Sequence, residues 1–162
     1  MLKYIDTKVV MAEVPDEITL AINISGCPCK CKGCHSPWLW EDKGIDLTRD
    51  ELLKLIRNNE GITCVSFMGG DSDPAHIVFL AGIVKRFTNL KVCWYSGFEK
   101  LSDEVRRWLR LFDYVKIGPY IEELGGLDSP TTNQKFFKVT SHGREDITHI
   151  FQKHNKYNET ED

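Results

Sequence analysis

An α/β fold built on a parallel sheet is what this sequence predicts, and three observations carry that expectation. Short apolar strands alternate with amphipathic helices along most of the 162 residues, an order that favours parallel strands joined by crossover helices. The expected strands end in small-residue turns: Ser25-Gly26, Gly69-Gly70-Asp71, Ser96-Gly97 and Gly118-Pro119. That end of a parallel sheet is where ligands bind. Finally, at roughly 100–200 residues per domain the chain has room for one domain, residues 1–162. Its core is expected over about residues 17–140, with a polar, frayed tail from about His154.

The elements follow in order. Glu17 to Ile24 (EITLAINI) alternates as a strand and runs into the first cysteine through Ser25-Gly26. A Gly-, Pro- and Trp-rich loop then extends from Cys27 to about Asp46, long enough that a bound group is expected to order it. Thr48 and Glu51 form a capping box for a helix with Leu52, Leu53, Leu55 and Ile56 on its apolar face and Gly61 as its stop. Ile62 to Phe67 reads as a buried strand, and Pro74 opens a helix reaching Phe87. Lys91 to Tyr95 is a strand, Leu101 to Phe112 an amphipathic helix, and Tyr114 to Ile117 another strand. After Pro119 the pattern weakens, and FFKVT (136–140) is the last strand expected.

Composition excludes several classes. The net charge of −3, from 21 basic and 24 acidic residues without a basic block, argues against nucleic acid as a partner. No apolar run approaches the ~18 residues of a spanning helix, and the first residues lack the order of a secretory signal, so a cytoplasmic protein with no membrane partner is expected.

The six cysteines are unevenly placed: Cys27, Cys29, Cys31 and Cys34 fall within eight residues, while Cys64 and Cys93 sit in apolar strands and read as core. Clustered thiols without an export signal indicate a metal or redox site rather than a disulfide framework. The spacing C-x3-C-x2-C of Cys27, Cys31 and Cys34 suits three irons of a [4Fe–4S] cube, leaving the fourth iron open. Cys29 permits other triples or a four-thiolate site. A four-thiolate zinc site is the competing reading, although such sites usually draw two separated pairs.

The run GCPCKCKGCHSPWLW (26–40), placed after the first expected strand, resembles the radical S-adenosylmethionine enzymes. More closely it is similar to the activating proteins of anaerobic, class III ribonucleoside-triphosphate reductases, where Gly precedes the third cysteine as Gly33 does here. SFMGGDSDP (66–74), CWYSGF (93–98), VKIGPYIEELGG (115–126) and SPTTNQKFF (129–137) agree in order, so the resemblance spans about residues 17–140. Asp71 replaces the Glu of the general motif, Ser36 a common Asn, and Lys116-Ile117 stands where an Asp is frequent.

The resemblance implies an incomplete (β/α) barrel with an open parallel sheet. It implies a [4Fe–4S] cluster on Cys27, Cys31 and Cys34, and S-adenosyl-L-methionine held by Gly33, Cys34, His35, Gly69, Gly70 and Asp71. It further implies reductive cleavage of that cofactor, hydrogen abstraction from a glycine of the reductase, and a low-potential electron donor such as flavodoxin. Tyr95, Ser96 and Lys116 stay open between cofactor contact and structural roles, and the four tryptophans between core and partner contact, Trp108 being read as core. Two alternatives remain: an activase of another glycyl-radical or radical system, and a noncatalytic zinc or iron–sulfur module. Only the partner distinguishes the first; Gly69-Gly70-Asp71 speaks against the second, because an electron carrier needs no site for a cofactor amine.

Overall fold

The computed structural model describes residues 1–152; the expected tail from His154 lies outside them. Eight strands form one open sheet: β1 (Lys3–Val10), β2 (Thr19–Ile24), β3 (Ile45–Asp46), β4 (Cys64–Met68), β5 (Lys91–Tyr95), β6 (Tyr114–Ile117), β7 (Lys135–Thr140) and β8 (Gly143–Asp146), in the order β3-β1-β2-β4-β5-β6-β7-β8. Helices α1 (Arg49–Arg57), α2 (Pro74–Phe87) and α3 (Asp103–Arg107) make the three crossovers between β2, β4, β5 and β6. Those four strands are parallel neighbours.

The expectation of a parallel sheet therefore holds only at the centre. β1, β3, β7 and β8 pair antiparallel at the two sides. Chain length accounts for two of these pairings: a parallel return needs a crossover of a dozen or more residues, and the links from β1 to β2 and from β7 to β8 are too short for one. β1 and β8 carry little sequence signal, since only Tyr4 of β1 is buried and all four residues of β8 are exposed. FFKVT is consequently the penultimate strand, not the last.

Strand alternation sorts the core onto two faces. Val65 and Phe67 of β4, Val92 and Trp94 of β5, and Val115 and Ile117 of β6 pack with helix residues such as Leu52, Ile77, Leu80 and Val105. The intervening residues Cys64, Cys93 and Tyr114 pack with Phe136, Val14 and Ile147 on the other face. Both cysteines are fully buried, as expected.

Local signals were obeyed where a side chain could satisfy them. Thr48 caps α1, its Oγ1 accepting from Glu51 N at 3.1 Å. Glu51 does not return the capping bond; its carboxylate accepts from Tyr4 OH at 2.5 Å, tying α1 to β1. α1 stops at Arg57, and Gly61 lies beyond it in the turn before β4. The expected helix from Leu101 to Phe112 is broken: α3 ends at Arg107, and a 3-10 turn covers Leu109–Leu111. Trp108 leaves helical geometry at φ −114°, its N–H shared between Glu104 O and Val105 O. It is not core; it lies 37% exposed beneath the Arg110 guanidinium, because this break turns its indole outward while Leu109 and Leu111 pack inward. No helix among the described residues is long and apolar enough to cross a membrane.

Gly44 pins the β3 edge. At φ +110°, a Cβ there would stand 2.1 Å from Tyr4 O, a backbone atom that cannot move aside. Gly44→Ala should unpair β3 from β1 and cost at least about 2 kcal/mol, read as a lowered urea midpoint.

Candidate metal centre

Parallel register brings the turns after β2, β4, β5 and β6 to one edge of the sheet. The thiol loop leaves β2 through Ser25 and Gly26, the latter at φ +74°. Its ends are zipped: Gly26 N donates to Glu41 O at 3.1 Å and Cys27 N to Leu39 O at 2.9 Å. Ser25 Oγ donates to Lys43 O at 2.5 Å and accepts from Lys43 N at 3.2 Å. Between these ties the chain turns at Lys30 (φ +43°) and Gly33 (φ +76°). Cys34 N donates to Cys31 O at 3.1 Å, closing a β-turn whose third residue must be left-handed and is Gly33.

The other predicted site residues fall around this loop. Asp71 is buried at 6% exposure. Its Oδ1 accepts from Ser96 Oγ at 2.5 Å and its Oδ2 from Gly97 N at 2.8 Å. Burial pushes its carboxyl up, while the Ser96 and Gly97 hydrogen bonds and the Lys116 charge oppose that shift. Gly69, at φ +107°, accepts from Trp94 Nε1 through its carbonyl at 2.7 Å, and a Cβ on it would sit 3.2 Å from Ile24 O. Gly70, at φ +98°, has no room for a Cβ because Ile77 Cδ1 would be 2.6 Å away. The two glycines thus hold the acid loop flat against β2 and α2. His35 is exposed, its ring 5.4 Å from that of Tyr120.

Lys116 is the site residue that sequence reasoning left open. It is 8% exposed, on the face of β6 opposite Val115 and Ile117, and its Nζ donates to Gly118 O at 2.7 Å and Ser96 O at 3.1 Å. Burial pushes its pKa down to about 8, while Asp71 and the thiols of Cys31, Cys29 and Cys27 pull it upward. A lone lysine inside an apolar strand was the available signal; only the fold shows which carboxylate and thiols it faces. Ser96, likewise left open, is the group that orients Asp71.

A cavity of about 600 Å³ opens beside this edge, lined by Cys34, His35, Tyr95, Lys116, Tyr120 and Gln134 among others. That volume lies in the range of small-molecule and cofactor sites. A larger one, of about 720 Å³, lies beside Met11, Glu17 and Ile18, just before β2 and away from the thiols. The chemistry sits with the smaller cavity.

The four thiols are the donors an iron–sulfur cluster takes, so the donor set fits. Among the described residues no three Cys, His, Asp or Glu side chains converge closely enough to hold one ion. Cys29 Sγ faces Asp71 Oδ2 at 4.0 Å, and Cys34 Sγ accepts from Ser36 N at 3.4 Å. Burial first, then Asp71 and the neighbouring thiols Cys27 and Cys31, pushes the Cys29 thiol up to about 12. Loading therefore requires the loop to gather its sulfurs and release their protons.

The Lys116 shift has a measurable sign. Between about 8 and the ordinary lysine value of 10.5 the unfolded chain binds the proton that the folded chain has lost, so this group makes stability rise with pH across that window. Lys116→Met should remove that rise, about 3 kcal/mol at most, seen in urea midpoints of the two proteins compared from pH 7 to 11.

Comparison with known proteins adds one finding. Residues 18–136 match the family model described as a 4Fe-4S single cluster domain, from the start of β2 into β7 and so across the thiol loop and the acid loop. No curated protein and no solved structure matches the chain. With most of its length matched and four thiols at the ligand-bearing edge of its sheet, the chain belongs to the 4Fe-4S single cluster domain family.

Proposed function

We propose that this protein is a radical S-adenosylmethionine enzyme that activates an anaerobic ribonucleoside-triphosphate reductase. In this reading the open sheet is an incomplete (β/α) barrel of the radical S-adenosylmethionine type, forming a single domain, and the protein works in the cytoplasm. Cys27, Cys31 and Cys34 hold three irons of the cluster. When bound, the cluster and cofactor supply a one-electron cleavage and the hydrogen abstraction from a glycine of the reductase. A low-potential donor such as flavodoxin provides the electron.

The observation that carries this reading is a thiol loop that meets Asp71 through Cys29 and, at its other end, places Cys34 in the wall of a cavity of about 600 Å³ shared with Lys116. A protein that only carries electrons needs a cluster; it does not need a nucleoside-sized cavity next to it. The chain's own residues have defined tasks here. Asp71, fixed by Ser96 and Gly97, keeps unused lone pairs on its oxygens for an ammonium group. Gly69 and Gly70 let the backbone approach the ligand closely. Gly33 and His35 place the loop's end, and Tyr120 backs His35, where an adenine would lie. Tyr95 and Lys116 wall the cavity and keep water from its base.

Anaerobic reconstitution with iron and sulfide, reduction, and electron paramagnetic resonance with and without S-adenosylmethionine test the proposal. The cluster signal should change on adding the cofactor, and mixing with the reductase should produce a protein radical on it. Cys31→Ala should abolish cofactor cleavage, measured as release of methionine. A cluster whose signal ignores the cofactor would make the protein an electron-transfer or docking module instead.

A further inference from the structure

The loop holds four thiols where the reading above uses three, and the unused one is not remote. Cys29 Sγ is 4.0 Å from Asp71 Oδ2. A Cβ added to Gly97 would come within 2.6 Å of the same sulfur, so it occupies space left by the missing side chain. Lys30, at φ +43°, turns the chain between Cys29 and Cys31. A side-chain-bearing residue is strained in that conformation and keeps it only where the surroundings impose it. Cys34, at the other end, bonds to Ser36 N and lines the cavity.

A [4Fe–4S] cube normally takes four thiolates. Three of them leave one iron to whatever donor lies beside it, and two claimants meet at one spot. One is Cys29; the other is any ligand whose ammonium rests on the Asp71 carboxylate. We infer that Cys29 is an exchangeable fourth ligand: it caps the open iron while the cofactor is absent and gives up that iron when the cofactor's amino-acid end arrives at Asp71. The inference rests on the function proposed above and deepens it by naming the group the cofactor displaces.

The exchange moves no electron. One iron–sulfur bond to Cys29 breaks, the freed thiolate takes a proton from solvent, and donor atoms of the cofactor form the replacing bonds. A capped iron is protected from loss, and the cost is weaker binding, because the cofactor must compete with a tethered thiolate.

The test uses the full chain and its Cys29→Ala and Cys29→Ser variants, each reconstituted anaerobically and matched for iron content. Without cofactor, each is treated with ferricyanide, which takes one electron from the cube as one ferrous ion leaves, and the three-iron signal is recorded by electron paramagnetic resonance. The wild type should keep its fourth iron, while Cys29→Ala should give a several-fold larger three-iron signal. Titration of the cluster spectrum with S-adenosylmethionine should show binding about tenfold tighter in Cys29→Ala, with Cys29→Ser between.

Equal three-iron yields and equal affinities overturn the inference while leaving the proposed function intact. Failure of Cys29→Ala and Cys29→Ser to assemble any cluster also overturns it, since Cys29 is then a permanent ligand. A larger three-iron signal in Cys29→Ala, with no response of either protein to the cofactor, removes the exchange and the proposed function together.

Discussion

A carboxylate taken out of water must find donors or a counter-charge, and around Asp71 that requirement organises the ligand-bearing edge of the sheet. Ser96 and Gly97 donate to its two oxygens, binding the turn after β4 to the turn after β5. Lys116, whose charge opposes the upward shift of Asp71, is itself held by the carbonyls of Ser96 and Gly118, which adds the turn after β6. The thiol loop from β2 then rests on this assembly through Cys29. Four successive turns are thus joined by the contacts of two buried charged residues, Asp71 and Lys116.

The scaffold beneath is stiff for separate reasons. Trp94 is almost fully buried and spends its only side-chain donor on Gly69 O, so packing of the helix-covered face fixes the height of the acid loop. Ile77 of α2 closes the space at Gly70. The opposite face changes character along the strands: Cys64, Cys93, Tyr114 and Phe136 make a dry cluster, while Tyr95 and Lys116, nearer the turns, border the cavity. The thiols, Asp71 and Lys116 gather at the end where the turns meet, while the strand starts at the other end carry a separate buried carboxylate, Glu17, paired with Lys91.

The thiol loop differs from this frame. Its two ends are zipped by backbone bonds, yet Cys29 and Cys34 face different partners, and among the described residues no three ligand side chains converge on one point. Left-handed residues Gly26, Lys30 and Gly33 give it the turns needed to wrap a compact group. The frame is built by the chain, and the arrangement of the thiols is left for the iron and sulfide to complete.

The sequence by itself determined the central crossovers, the Thr48 cap and the burial of Cys64 and Cys93, because apolar periodicity and capping are local properties of a few residues. It also marked the thiol loop as chemistry, since clustered thiols have few other uses, and Gly69-Gly70-Asp71 with it, since a turn that could be merely structural falls on the same sheet edge. It was silent on β1 and β8, which bury one residue between them and so lack apolar alternation, and it misjudged Trp108, whose orientation depends on a helix break. Only the tertiary structure decided that the outer strands run antiparallel, that Ser96 orients Asp71, that Lys116 faces both acid and thiols, and that Cys29 lies against Gly97. These are relations between residues far apart in the chain, fixed by strand register and by the need of buried charges for partners, and no local pattern encodes them.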